Sequence, residues 1–400
     1  MDPTLTPPHT RSLRIGIAGA GLLGRLLAWH LSRQGHEVHV HDPAPHALPT
    51  HDGQGAAGFT AAGMLSPLAE LDTAEPDVAA RGWQSIAHWR AIAACMDGQV
   101  GEPTTAQTPH HALARFAQHG SLMVAHGPDL GAARRVLSRL DRAQALPSAG
   151  LGTHQAQALS PEQLHALEPE LHGSGGPLHA WLLPGEAHID TVAMMQALHD
   201  GAPGVRWHWG TQVQRVAPGC LWLAASPTSA ATAPSTAPGQ ARTFDLVCDV
   251  RGVGARPTLP VRGVRGEVVW LYAPGVTLQR PVRLLHPRHR IYIVPRPGER
   301  LLVGASELET EDRGPVTLRS AVELMAAAHS ILPALAEARI LRMDANLRPA
   351  LPDHRPHIHT EPGLARLNGL YRHGWLLAPS VANEALLALG LPGLPGHPAA

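Results

Sequence analysis

Hydrophobic and polar positions from Leu13 to Asp42 fall into a pattern that organises the chain. Ile15 and Ile17 alternate with Gly16 and Ala18 as a short buried strand, Leu22 to Gln34 follow at helical spacing, and Val38 and Val40 begin a second strand that closes on Asp42. Between the first strand and the helix stand Gly19, Gly21 and Gly24, the pattern G-x-G-x-x-G. Gly19 permits the tight turn, Gly21 lets backbone reach a pyrophosphate, and Gly24 lets helix and strand touch. The helix N-terminus, opened by Leu22 and Leu23, then faces the anion, and Asp42 is placed to accept from both ribose hydroxyls of an adenosine. Glycine supplies 40 of 400 residues, so the triplet alone says little. Strand, triplet, helix, strand and terminal acid in that order predict an adenine dinucleotide.

Past Asp42, the stretch Gly53 to Pro67 has a small, apolar centre, Ala61-Ala62-Gly63-Met64-Leu65, whose backbone can approach something flat. Trp89, Ile92, Ala93 and Met96 predict the buried stripe of a helix from about Pro76 to Met96. Ser160, Pro161 and Gln163 form a capping-box start, and Asp190 caps a helix through Leu198. Val205 to Trp209, Val213 to Val216 and Leu221 to Leu223 read as strands. Ala224 to Thr243, mostly Ala, Ser, Thr and Pro, predicts a flexible surface insertion. Phe244 to Val250 returns as an apolar strand running into Gly252 and Gly254, a turn suited to a second approach to the dinucleotide.

From Gly266 the pattern becomes strand after strand: Glu267 to Leu271, Val282 to Leu285, Arg290 to Val294 and Leu301 to Gly304, a mostly antiparallel second domain. Thr317 is positioned to cap a helix whose Leu318, Ala321, Val322, Met325 and Ala328 face inward. Near the end, Gly374 to Pro379 opens a helix from about Ser380 to Leu389, with Pro379 at its start.

Composition narrows the function. Thirty-two basic against 32 acidic residues give no field for nucleic acid, and no run of about eighteen apolar residues spans a membrane. Met1 to Ser12 resembles neither a secretory signal nor a transit peptide, so a cytoplasmic location is the expectation. Cys95, Cys220 and Cys248 lie far apart and read as reduced core residues. The 27 histidines, including His110 and His111, lack metal-ligand spacing, so no metal is expected.

Four stretches together resemble the flavin-dependent D-amino-acid oxidase superfamily, in particular its glycine oxidase branch, associated with thiazole synthesis for thiamine. They are Gly19 to Asp42; Ala61-Ala62-Gly63-Met64-Leu65-Ser66-Pro67; Tyr292-Ile293-Val294-Pro295-Arg296 with Val303-Gly304-Ala305; and Leu347-Arg348-Pro349 with Tyr371-Arg372-His373-Gly374-Trp375-Leu376-Leu377-Ala378-Pro379. The resemblance implies one non-covalent FAD in an α/β plus α+β fold of the glutathione-reductase type. Its Rossmann-like FAD-binding domain is expected over 13–90, 185–262 and 345–392. A mostly antiparallel β-sheet substrate domain is expected over 91–184 and 263–344, with 1–12 and 224–243 flexible.

The same resemblance assigns Gly19, Gly21 and Gly24 to the pyrophosphate and Asp42 to the ribose. Ala61, Ala62, Gly63 and Met64 fall at the flavin edge, Gly374, Trp375, Leu376 and Leu377 at its pyrimidine end, and Val213, Gly252 and Gly254 with the cofactor. It implies Arg348 as carboxylate clamp beside the cofactor, Tyr292 as hydroxyl donor to the same carboxylate, and Arg372 near the amine. Arginine suits the clamp because its planar fork pairs bidentately with a carboxylate. The implied reaction passes hydride from the substrate Cα to the flavin, hydrolyses the imine to an oxo acid and ammonia, and returns electrons to oxygen as peroxide. Arg280, Arg283 and Arg288 are taken as a solvated face.

Leu370 stands where that branch carries a histidine, and Glu307 where some relatives carry an apolar residue over the substrate. Both leave the exact amine open, as the sequence leaves open oxygen against another acceptor, a D-amino-acid dehydrogenase, a flavin-binding protein without turnover, and a homo-oligomer.

Overall fold

The computed structural model describes residues 11–97, 115–144, 154–224, 239–286 and 290–396. His110, His111 and Arg288 lie outside them, as do 1–10 and 225–238 of the segments expected to be flexible.

The opening motif folds at the centre of a six-stranded sheet. Its order is His357–Glu361, Leu364–Asn368, Leu246–Asp249, Arg14–Ala18, Glu37–His41, Arg206–His208, and every neighbouring pair is parallel except the first. Ile15 and Ile17 are fully buried between parallel neighbours, and Gly16 makes room for the Phe244 ring. The helices Leu22–Arg33, Pro76–Asp97 and Gly374–Ala388 pack with this sheet in one apolar core that includes Trp29, Trp89 and Trp375.

The second layer is an eight-stranded sheet. Its order is Arg339–Ala350, Arg262–Tyr272, Arg300–Gly304, Arg290–Arg296, Val282–Leu285, Ser121–His126, Leu178–Leu183, Gln157–Leu159, antiparallel except where Val282–Leu285 meets Ser121–His126. The strands Arg262–Tyr272 and Arg339–Ala350 and the helix Pro76–Asp97 run through the boundaries expected near 262, 345 and 90. Among the described residues no helix is long and apolar enough to cross a membrane.

Local capping follows the sequence closely. Ser160 and Gln163 form the full capping box, Asp190 accepts from the Val192 and Ala193 N–H groups, and Thr317 accepts from that of Ser320. Three expectations need correction. In the helix Leu318–Ile331 the buried stripe is Ala321, Leu324, Ala328 and Ile331, while Leu318 and Val322 are 81% and 53% exposed. Two overlapping apolar stripes share that spacing, and packing on the sheet selects the one containing Leu324. Within the expected insertion, Gln240–Thr243 is a strand paired with Cys220–Leu223. Its exposed residues are held by ladder hydrogen bonds that composition does not reveal.

The third correction concerns Pro379, which lies inside the last helix, Gly374–Ala388, rather than at its start. A proline has no N–H for the Trp375 carbonyl one turn back. The Trp89 indole Nε1 donates to that carbonyl at 2.9 Å instead, and the Ser380 N–H donates to the Ser85 hydroxyl at 3.2 Å. A neighbouring helix thus heals the break. Trp89→Phe is expected to lower stability by about 1–3 kcal/mol in urea unfolding, the cost of a buried carbonyl left unsatisfied. Adding Pro379→Ala, whose N–H reaches the same oxygen, should recover much of the loss; no recovery would overturn this account.

Candidate functional site

Gly19 follows the first strand at φ +106°, and a Cβ there would sit 2.8 Å from the Val250 carbonyl oxygen. A Cβ on Gly24 would come within 1.9 Å of the Gly19 carbonyl oxygen, so this glycine brings helix against turn. The helix Leu22–Arg33 has no side-chain cap and no acid in its first turn, which leaves its N-terminal N–H groups open to an anion. Asp42 is tied down by two backbone donors, Ala20 N–H to Oδ2 at 2.6 Å and Ala44 N–H to Oδ1 at 2.8 Å. Its oxygens keep lone pairs for hydroxyl donors. Buried Arg25 braces this turn from behind, donating to the carbonyls of Ala20, Met195 and Ala47.

Gly19, Gly21, Leu22, Leu23 and Asp42 line one cavity of about 530 Å³. Val213, Gly252 and Gly254 border it too, beside Arg251, which is locked to Asp249 by two 2.8 Å bonds. Ala61, Ala62, Gly63 and Met64 form another wall. Gly63 stands at φ +68°, where a Cβ would meet the Ile189 carbonyl oxygen at 2.2 Å. The Ala62 carbonyl accepts from buried Arg296 at 2.6 Å, so the arginine of the Y-I-V-P-R stretch positions this wall. Gly374 and Trp375 also reach the cavity. Gly24, Leu376 and Leu377 stand behind its wall, the two leucines buried in the core because the helix begins at Gly374 and turns their side chains inward.

Tyr292, Arg348 and Arg372 line the same cavity. Arg348 donates to the Ser306 carbonyl from both terminal nitrogens at 3.1 Å, and to the Arg265 carbonyl at 3.3 Å. Its guanidinium lies over Gly266, where a Cβ would be 2.3 Å from Cζ, and the Tyr292 ring lies over Gly304, where a Cβ would be 2.7 Å away. Two glycines therefore clear space for two cavity-lining side chains. Burial raises the Tyr292 hydroxyl above its ordinary range against the pull of Arg348, so it stays a proton donor.

Arg372 is engaged by acids. It donates to Glu70 Oε2 at 3.1 Å and to the Thr73 hydroxyl, and lies 3.6 Å from Glu307. Glu70 also accepts from Arg283 at 3.1 Å and has His373 Nδ1 3.4 Å away. Burial pushes the Glu70 carboxyl up, but Arg283, His373 and Arg372 outweigh it and bring it to about 2. The Tyr371 hydroxyl donates to Glu307 at 2.6 Å, and burial together with that carboxylate pushes it up to about 12.

Arg283 thus belongs to the cavity and not to a solvated face, and Arg280 is buried 3.3 Å from Glu168. Glu70, Arg283 and Tyr371 were not expected as site residues. One signal existed for Glu70: an acid between Leu68, Ala69 and Leu71, all buried, demands a partner.

The family model described as DAO, FAD dependent oxidoreductase, matches residues 14–386. ThiO of Rhizobium etli, by name a thiamine biosynthesis oxidoreductase, is 36% identical over 93% of this chain and 95% of its own. A glycine oxidase of Bacillus licheniformis is 25% identical over 94% of this chain and 93% of its own. The crystal structure of an iminodiacetate oxidase from Chelativorans sp. shares the fold at a TM-score of 0.73 and 24% identity, covering 95% of this chain and 96% of that one.

Proposed function

The chain belongs to the DAO family of FAD-dependent oxidoreductases, and from that premise we propose that it oxidatively deaminates glycine or a closely related small amine. The observation that carries this reading is Arg348. It is a guanidinium in the cavity of the dinucleotide grip that is satisfied by carbonyls rather than by a carboxylate, with Tyr292 lining the same cavity. A substrate carboxylate can take that fork bidentately.

The residues present fit FAD. Gly19 and the open helix N-terminus suit a pyrophosphate, Asp42 a ribose, and the Ala62 to Met64 backbone with Gly374 the flavin ring. When bound, FAD supplies the two-electron acceptor for the substrate C–H bond. Arg348 and Tyr292 hold the carboxylate and thereby orient the Cα. Glu70, held near 2 by its cations, is too weak a base to take the ammonium proton, which goes to water. The imino acid formed by that oxidation adds water and releases ammonia to give an oxo acid, and the two electrons taken from the substrate, with two protons, reduce O2 to H2O2. Names borne by the relatives support glycine as substrate and a part in thiamine biosynthesis as the role.

Adding glycine to the yellow protein without air should bleach it, and in air ammonia and peroxide should appear in equal amounts. A panel of small amines that leaves the colour unchanged would refute the proposal, whereas bleaching without peroxide would point to another acceptor. Asp42→Ala is expected to weaken FAD retention about tenfold or more, for loss of about 1.5–3 kcal/mol from charged hydrogen bonds. Flavin released during dialysis measures this, and full retention would count against the ribose assignment.

A further inference from the structure

Among the residues that line the cavity with Arg348 are the guanidinium groups of Arg372 and Arg283 and the carboxylates of Glu70 and Glu307. Glu70 is enclosed by Arg283, Arg372 and His373. Glu307 is different: half-exposed, it follows Ser306, whose carbonyl accepts from Arg348, so its backbone is anchored one residue from the clamp. Its side chain is aimed by Tyr371, which donates at 2.6 Å. Tyr371 itself stands at φ +49°, a conformation that residues other than glycine seldom hold, and stacks on His354 at 4.7 Å. Strain kept at one residue, and spent on aiming one carboxylate, marks a position with a task.

We infer that Glu307, held by Tyr371 beside Arg372, selects the substrate by charge, admitting an amine that carries one carboxylate and turning away an amine that carries a second. Repulsion between like charges gives the reason. Arg348, met by carbonyls, can take one substrate carboxylate, whereas a second carboxylate on the amine side would meet Glu307, a like charge, beside Arg372, which already pairs with Glu70. Removing the Glu307 charge removes that repulsion and leaves Arg372 one carboxylate fewer, so the second carboxylate is admitted. This rests on the amine-oxidase reading and names the substrate class of the same site.

The test compares glycine with iminodiacetate, which is glycine bearing a second carboxymethyl group on nitrogen. The wild-type holoenzyme should favour glycine in kcat/KM, and Glu307→Gln should shrink the glycine-to-iminodiacetate ratio at least tenfold. Glu307→Asp should keep most of the preference, and Tyr371→Phe, which releases the carboxylate, should erode it in the same direction as Glu307→Gln. A ratio unchanged within threefold in Glu307→Gln, or a wild type that takes both compounds equally well, overturns the inference while leaving the amine-oxidase reading intact.

Titration of the flavin absorbance with acetate and with malonate reads the same selection without turnover. Wild type should bind acetate in preference to malonate, and Glu307→Gln should narrow that gap at least tenfold; an equal gap in both proteins overturns the inference. If the holoenzyme oxidises no amine, the amine-oxidase reading fails and these titrations alone decide.

Discussion

Arg348→Ala should lower kcat/KM for glycine about 100-fold or more while the protein remains yellow. The guanidinium presents two donors to one carboxylate, and each charged hydrogen bond contributes about 1.5–3 kcal/mol. As the proposed clamp it would also orient the Cα, so the loss should appear in kcat as well as KM. Arg348→Lys should recover only part, because an ammonium cannot fork onto a carboxylate and cannot reach both Ser306 and Arg265 as the native side chain does. Flavin content and melting temperature provide the control, since Gly266 already leaves room for the missing group. Kinetics within twofold of wild type would remove the clamp from the site.

Glu70→Gln should cost stability as well as activity. Glu70 is the shared partner of Arg283, Arg372 and His373, and neutralising it leaves the largely buried Arg283 without its carboxylate. Breaking a buried pair in this way costs about 3–5 kcal/mol. For a chain of this length that is a drop of roughly 4–6 °C in melting temperature. The pH dependence carries a sign. The Glu70 carboxyl is depressed from 4.5 to about 2 in the folded protein, so its stabilisation is complete above 4.5 and disappears as pH falls toward 2. The gap between wild type and variant should therefore be widest near neutrality and close in acid. A constant gap down to pH 2 would mean that packing, not charge, is responsible.

The parts of this architecture that sequence reveals are those whose physics is local. Gly19, Gly24 and Asp42 act within one strand-helix-strand unit, and the caps at Ser160, Asp190 and Thr317 close over three residues. The Gly374–Ala388 helix shows the opposite case, because the donor that tolerates Pro379 comes from Trp89, 286 residues from the carbonyl it serves. Likewise Glu70, Arg283 and Arg372 meet from three distant segments, and in sequence Arg283 looks like any arginine on an alternating strand. Resemblance to known flavoproteins indicated Arg348, Tyr292 and Arg372 but not the two glycines that make space for the first two. A glycine beneath a side chain leaves no periodic trace.

The long strands Arg262–Tyr272 and Arg339–Ala350 are zipped together from Arg262 opposite Ala350 to Tyr272 opposite Arg339, and they pass from the wall of the cavity deep into the antiparallel layer. That ladder sets Gly266 opposite Asn346 and Val264 opposite Arg348, so the guanidinium and the glycine that clears its space are stitched into one piece and cannot drift apart as the rest of the molecule breathes.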